Sequence, residues 1–327
     1  MLKLSVLDQS PVSEGSSGAE ALRRTIDLAR LVDGLGYERY WVAEHHGTPM
    51  LAGTSPEALV PAIAAATARL RVGSGGVMLP HYSPFKVAEI FSVLSGLFPG
   101  RVDLGLGRAP GTDRETTVAL QRDRSRPLLD DFPQQLAELL GYLNGTLPPN
   151  HPFARLAALP GRPERPELWL LGSSPQSAVW AAQLGLSYAF ADFINPTGAE
   201  HAQLYRARFA PSAELVQPRV AVALAAICAE TDEQAEQLAA SGRMVFSLFR
   251  SGRLIQVPPV EKALRFLASG DAPPSGRRAI VGSPETVRAG IEEIAGAYGA
   301  EEAIVVTITY DHAARRRSYE LLAEAFG

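Results

Sequence analysis

Short apolar runs alternate with segments of helical hydrophobic period along almost the whole chain, and this alternation is what most limits the folds open to it. Runs at 2–7, 39–43, 70–79, 102–106, 168–171, 188–193, 220–229 and 303–308 read as strands. Helix-period segments follow them at 19–35, 56–68, 84–98, 132–143, 175–184, 198–209, 232–250, 284–298 and 312–326. Several of these begin with proline, which suits a first helical turn. Gly36 sits where a left-handed cap would end the first. Strand and helix in alternation imply a parallel sheet. Eight strands without a clear linker favour closure into a (β/α)8 barrel over an open doubly wound sheet. Such a barrel needs ~250 residues plus insertions, and the chain has 327. One domain over 1–327 is therefore expected. Three stretches fall outside the pattern: a polar loop at 107–126, a proline-rich crossover at 144–166, and 250–279, a candidate lid with four prolines.

Composition narrows the function classes. The formal net charge is only -4, which argues against a dedicated nucleic-acid or membrane surface. Cys228 is the one cysteine and lies in the apolar run AVALAAICA, so a buried inert thiol is expected and a cysteine metal site is excluded. No run of ~18 apolar residues suggests a membrane span, and MLKLSVLDQS is too short in apolar residues for a signal peptide. A cytoplasmic location is expected.

In a barrel of this kind, working residues gather at the carboxyl ends of the strands. Glu44-His45-His46 ends the second strand. Neighbouring side chains on a strand point to opposite sides, so one histidine faces the axis at most. Metal binding, packing and acid/base work are all open; no helical i, i+4 pair supports a metal, and none is expected. Gly73-Ser74-Gly75-Gly76 lies inside the third strand. Glycine there marks either close approach of a ligand, such as a flat cofactor ring, or tight packing of the barrel. Gly105-Leu106-Gly107-Arg108 ends the fourth strand, and Arg108 offers a positive fork for a phosphate or carboxylate. Gly172-Ser173-Ser174-Pro175-Gln176-Ser177 joins the fifth strand to its helix. It reads as an anion nest at a helix N-terminus, or as ordinary serine capping. Arg108 and this loop come from neighbouring strands, so together they could clamp one phosphate. Trp180, Tyr188 and Phe190 read as core. Gly282-Ser283-Pro284 reads as a helix start, and no dinucleotide fingerprint or phosphate-binding P-loop is present.

Five stretches occur in order across nearly the whole chain: RYWVAEHH, LRVGSGGVMLPHYSP, PGRVDLGLGRAPGTD, LWLLGSSPQSAVWAAQLGL and IVGSPETV. Through them the sequence resembles the luciferase-like flavin monooxygenases. The resemblance implies a TIM barrel with an insertion after strand seven, and reduced FMN and O2 acting on a small-molecule substrate. It places His45 on a histidine implicated in acid/base work. It places Gly75 and Gly76 on a pair joined by a non-proline cis peptide beneath the flavin. Arg108 falls on a phosphate-binding arginine, and Ser174 and Ser177 on hydroxyl residues of the phosphate loop; Gly172 and Ser173 belong to the same loop. Gly107 stands where luciferase has a cysteine, Ser173 where it has a glutamate and Asp192 where it has a tryptophan.

The leading expectation is an FMN-dependent monooxygenase whose reduced flavin comes from a separate NAD(P)H:flavin reductase, with a homodimer suggested by the family. A deazaflavin-dependent dehydrogenase or reductase of the same fold and a non-catalytic flavin-binding protein are the alternatives.

Overall fold

The computed structural model describes residues 2–108, 113–121, 130–161, 164–269 and 277–327. Parts of the 107–126 loop, the 144–166 crossover and the 250–279 stretch therefore lie outside the described residues. Eight strands form the barrel: β1 (Lys3–Asp8), β2 (Arg39–Val42), β3 (Arg71–Met78), β4 (Val102–Gly107), β5 (Glu167–Gly172), β6 (Ser187–Ala191), β7 (Val220–Cys228) and, last, β9 (Glu302–Val306). Each pairs in parallel with its neighbours, and β9 pairs with both β7 and β1, which closes the ring.

The strands alternate their side chains between two cores. Leu7, Trp41, Trp169, Ala189, Ala223 and Ile304 fill the barrel interior. Val6, Tyr40, Val42, Leu104, Leu170 and Val305 face outward and are covered by helices. Both faces are thus dry, and β2 and β4 are buried along their full length, as a parallel sheet requires. The covering helices follow the strands: α1 (Gly18–Leu35), α2 (Pro56–Ala66), α3 (Pro84–Leu97), α5 (Phe132–Asn144), α6 (Pro175–Leu184), α7 (Ala199–Arg208), α8 (Asp232–Arg250), α10 (Pro284–Tyr298) and α11 (His312–Phe326). Local signals set their ends. Ser17 caps α1 by accepting from the Glu20 N–H, and Gly36 ends it at φ 85°. Thr231 and Asp311 cap α8 and α11 in the same way.

The amino ends of the strands carry a buried ion network. Arg39 donates to Asp103 (2.6 Å) and to Glu302 (2.6 Å). Arg71 donates to Asp103 (2.6 Å), and Arg219 to Glu167 (2.8 Å). The indoles of Trp41 and Trp169 also donate into it. Each charged side chain of this network is paired, with only Arg39 Nη2 and Glu302 Oε2 left without a hydrogen bond.

The structure adds three elements that the hydrophobic pattern did not reveal. β8 (Ala279–Gly282) pairs only with the end of β7. α9 (Val260–Ala268) packs on α8, and α4 (Arg114–Leu120) has no buried residue. With α8, α9, β8 and α10 between β7 and β9, the insertion after strand seven is where the resemblance put it. Part of the 250–279 stretch is built into the top of the barrel: Val257 is buried and exchanges hydrogen bonds with the loop after β1. Among the described residues, no helix is long and apolar enough to cross a membrane. Cys228 is buried, and burial pushes its thiol up to about 12, as expected of an inert side chain.

Candidate active site

At the carboxyl ends of the strands lies a cavity of about 270 Å3. That is just below the ~300–1,000 Å3 usual for small-molecule sites. His45, Gly75, Gly76, Arg108, Gly172, Ser173, Ser174 and Ser177 all line it, so residues read from four separate strand ends meet in one place.

The three residues after β2 divide their labour. Glu44 is fully buried and turns away from the cavity. It accepts from the Met78 N–H (2.9 Å) and the Tyr82 hydroxyl (3.2 Å), and lies 2.8 Å from His46 Nε2. The His46 ring meets the His81 ring edge to face at 5.8 Å. Glu44 and His46 thus join the end of β2 to the end of β3. His45 faces the cavity instead, fixed by its N–H donating to the Gly53 carbonyl (2.9 Å). Among the described residues its buried Nδ1 has no hydrogen-bond partner. Burial, then the nearby Arg277 and His46 charges, push His45 down to about 4. At pH 7 this ring is therefore neutral, with one acceptor and one donor nitrogen. Among the described residues, no cluster of three or more His, Cys, Asp or Glu is placed to hold a metal ion.

The glycines have a physical reason. A Cβ on Gly76 would stand 2.6 Å from the Gly105 carbonyl oxygen and 2.6 Å from Leu171, and one on Gly75 would stand 2.5 Å from Leu7. The Gly105 backbone thus requires Gly76, side chains crowd Gly75, and the cavity floor between them is lined by apolar Leu7, Trp41 and Leu171. The Gly75–Gly76 peptide is cis.

At the mouth, Arg108 is exposed, with its guanidinium 5.6 Å from the Trp180 ring centroid and 3.5 Å from Asp130. Trp180 packs against the core while also lining the cavity, whereas Tyr188 and Phe190 are fully buried. Ser174 precedes α6 in extended conformation, and its side chain makes no capping bond. Simple capping is thus not what this serine does. Its hydroxyl and the first N–H groups of α6 are left for an anion at the mouth. Ser177 is already committed: its hydroxyl donates to the Ser174 carbonyl (2.8 Å) and lies 3.2 Å from the Tyr188 hydroxyl. Gly172 is needed because a Cβ there would collide with Ser177.

These residues fit FMN on two counts: a cationic fork and open helix N–H groups gather at one end, and an unpartnered buried nitrogen over an apolar floor lies deeper in. Sequence reading missed other lining residues. Gln9, Phe193 and Ile194 line the cavity too, and Phe193 and Ile194 follow β6 in a loop that carries no motif.

Comparisons with known proteins agree with this geometry. Residues 2–301 match the model of the luciferase-like monooxygenases. A luciferase-like monooxygenase of Escherichia coli is 41% identical, covering 98% of this chain and 96% of its own. The N-acetyl-S-alkylcysteine monooxygenase of Bacillus subtilis is 38% identical, covering 99% and 98%. The structure of apo-MsnO8 superimposes with a TM-score of 0.91 at 42% identity, covering 100% and 98%. More distant structures share the fold alone. The oxygenating constituent of a 3,6-diketocamphane monooxygenase of Pseudomonas putida, solved with FMN, has a TM-score of 0.73 at 20% identity, covering 99% and 97%. An F420-dependent secondary alcohol dehydrogenase has 0.70 at 15%, covering 100% and 99%. By sequence and by architecture, the chain belongs to the luciferase-like monooxygenase family.

Proposed function

We propose that the protein is an FMN-dependent monooxygenase that oxygenates a small organic substrate, its reduced flavin delivered by a separate NAD(P)H:flavin reductase. The observation that carries this reading is the pairing of Arg108 with an uncapped α6 N-terminus at the mouth of a cavity whose depth presents His45. When bound, reduced FMN supplies the electrons with which O2 is activated. The chain's own part is to hold and to shield. Arg108, the Ser174 hydroxyl and the first N–H groups of α6 bind the phosphate. Leu7, Trp41, Leu171 and the Gly75–Gly76 floor exclude water from the ring. His45, neutral at pH 7, accepts a proton at Nδ1 or shares its hydrogen bond with the ligand.

Anaerobic loading with reduced FMN, followed by rapid mixing with oxygen, tests the reading. Bound flavin should reoxidise more slowly than free flavin, through a spectral transient that outlives the one in buffer. Reoxidation at the rate of free flavin would contradict it. A ligand released from purified protein with deazaflavin absorbance and mass would favour a hydride-transferring enzyme instead.

A further inference from the structure

A second cavity of about 150 Å3 adjoins the first and shares Gln9 and Phe193 with it. An apolar cavity of about 150 Å3 holds a benzene-sized group. Its walls come from the ends of β7 and β9 and from α8, with Ile227, Phe246, Val306 and Ile308 prominent. Three arginines line it, and two of them are spoken for. Arg243 pairs with Glu236. Arg278 grips Asp192 through two nitrogens, one at 3.1 Å, and Asp192 also accepts from the Tyr298 hydroxyl (2.9 Å).

Arg277 is different. Among the described residues it has no carboxylate partner and no hydrogen bond. Its guanidinium lies 4.1 Å from the Phe246 ring centroid and 5.8 Å from that of Phe193. Burial alone lowers it to about 10, because no acidic group offsets the loss of water. A mostly buried cation held only by ring faces is an incomplete arrangement. An anion entering the cavity would complete it. With Arg243 and Arg278 already paired, the one remaining guanidinium balances a single negative charge and matches a carboxylate's two oxygens. The apolar walls suit a short alkyl or aryl body.

We propose that this cavity is the carboxylate subsite of the substrate, which rests on the monooxygenase reading above: Arg277 holds the acid group, the apolar walls hold the body, and the end to be oxidised passes Gln9 and Phe193 into the His45 cavity. Selectivity for the substrate then lies in the insertion after β7, separate from the Arg108 phosphate end.

Calorimetry with a graded set of aryl- and alkyl-carboxylates against their neutral carboxamides, phenylacetate and phenylacetamide among them, tests this with and without FMN. At least one carboxylate should bind tenfold or more tightly than its amide. That preference should vanish in Arg277→Met, persist in part in Arg277→Lys and be untouched by Arg108→Ala. The melting temperature of Arg277→Met should not fall, since the wild-type cation has no ion pair to lose, so a folded variant is available for the measurement. No carboxylate preference in the wild type, or a preference that survives Arg277→Met, would overturn the proposal. Carboxylate preference in a protein that fails to bind FMN would leave the subsite standing and contradict the flavin reading. Flavin binding without the preference would do the reverse.

Discussion

The two ends of this barrel handle charge in opposite ways. At the amino ends, Arg39, Arg71 and Arg219 are knitted to Asp103, Glu167 and Glu302, with tryptophan N–H groups filling gaps. At the carboxyl ends, around the two cavities, among the described residues His45 Nδ1 has no hydrogen-bond partner, Arg277 has no ion pair, and the start of α6 has no side-chain cap. The same strands make both ends, so the difference is not one of fold. A buried group left unsatisfied costs free energy. The lower end pairs each of these charged side chains and leaves only single atoms, Arg39 Nη2 and Glu302 Oε2, without a hydrogen bond; the whole groups left unpaired above point to a ligand as the missing partner there, and to stability as the purpose below.

The largest test of the contrast is at the lower end. Asp103→Ala strips both Arg39 and Arg71 of a carboxylate and should cost about 3–5 kcal/mol in urea unfolding. A cost under about 1 kcal/mol would show that this network is not what holds the lower end. Next is the pH dependence of the upper end. Unfolded, His45 takes a proton near 6.5; folded, only near 4. As pH falls, the unfolded state therefore gains its proton first. Stability from this group is whole above about 6.5 and declines toward pH 4 by about 3 kcal/mol, at ~1.36 kcal/mol per pKa unit. His45→Asn should flatten that part of a stability-against-pH curve; an unchanged slope would place the titration elsewhere. Arg108→Ala should weaken FMN binding by about 1.5–3 kcal/mol, roughly tenfold or more, with unfolding stability unchanged because the side chain is exposed. Smallest is Gly76→Ala, where the added methyl meets the Gly105 carbonyl and Leu171. It should cost about 1–3 kcal/mol of stability, as overpacking does; a neutral outcome would mean that the strands can part.

How much of this was legible in the sequence depended on whether a residue's surroundings are local. The eight barrel strands could be read because each is a short run buried on both faces. The helices could be read because apolar period and caps such as Ser17 and Gly36 lie within a few residues of each other. β8 was missed because its four residues pair with only one strand. α4 was missed because it buries nothing and so shows no period. α9 carried a signal in its amphipathic Val260–Ala268 spacing after Pro259, but the surrounding prolines masked it. At the site, the glycine stretches, Arg108 and the serine loop were legible from residue type and from their place at strand ends. The flavin reading came from the resemblance. Trp180 does pack on the core, but its second face, on the cavity, was not legible, since an aromatic on a helix looks the same in either setting. Arg277 could not be picked out at all: its lack of a partner is a property of the whole fold. His45 could be read as a residue of the strand-end cluster, but its lowered pKa depends on burial that no local pattern shows.

The claim at the centre is that the Arg108 end of the main cavity holds a phosphate. Parallel anaerobic titrations of the wild-type protein with reduced FMN and reduced riboflavin, which differ in that phosphate alone, address it directly. FMN should bind roughly tenfold or more tightly, since a charge-assisted contact contributes about 1.5–3 kcal/mol. Equal affinity for the two flavins would contradict it.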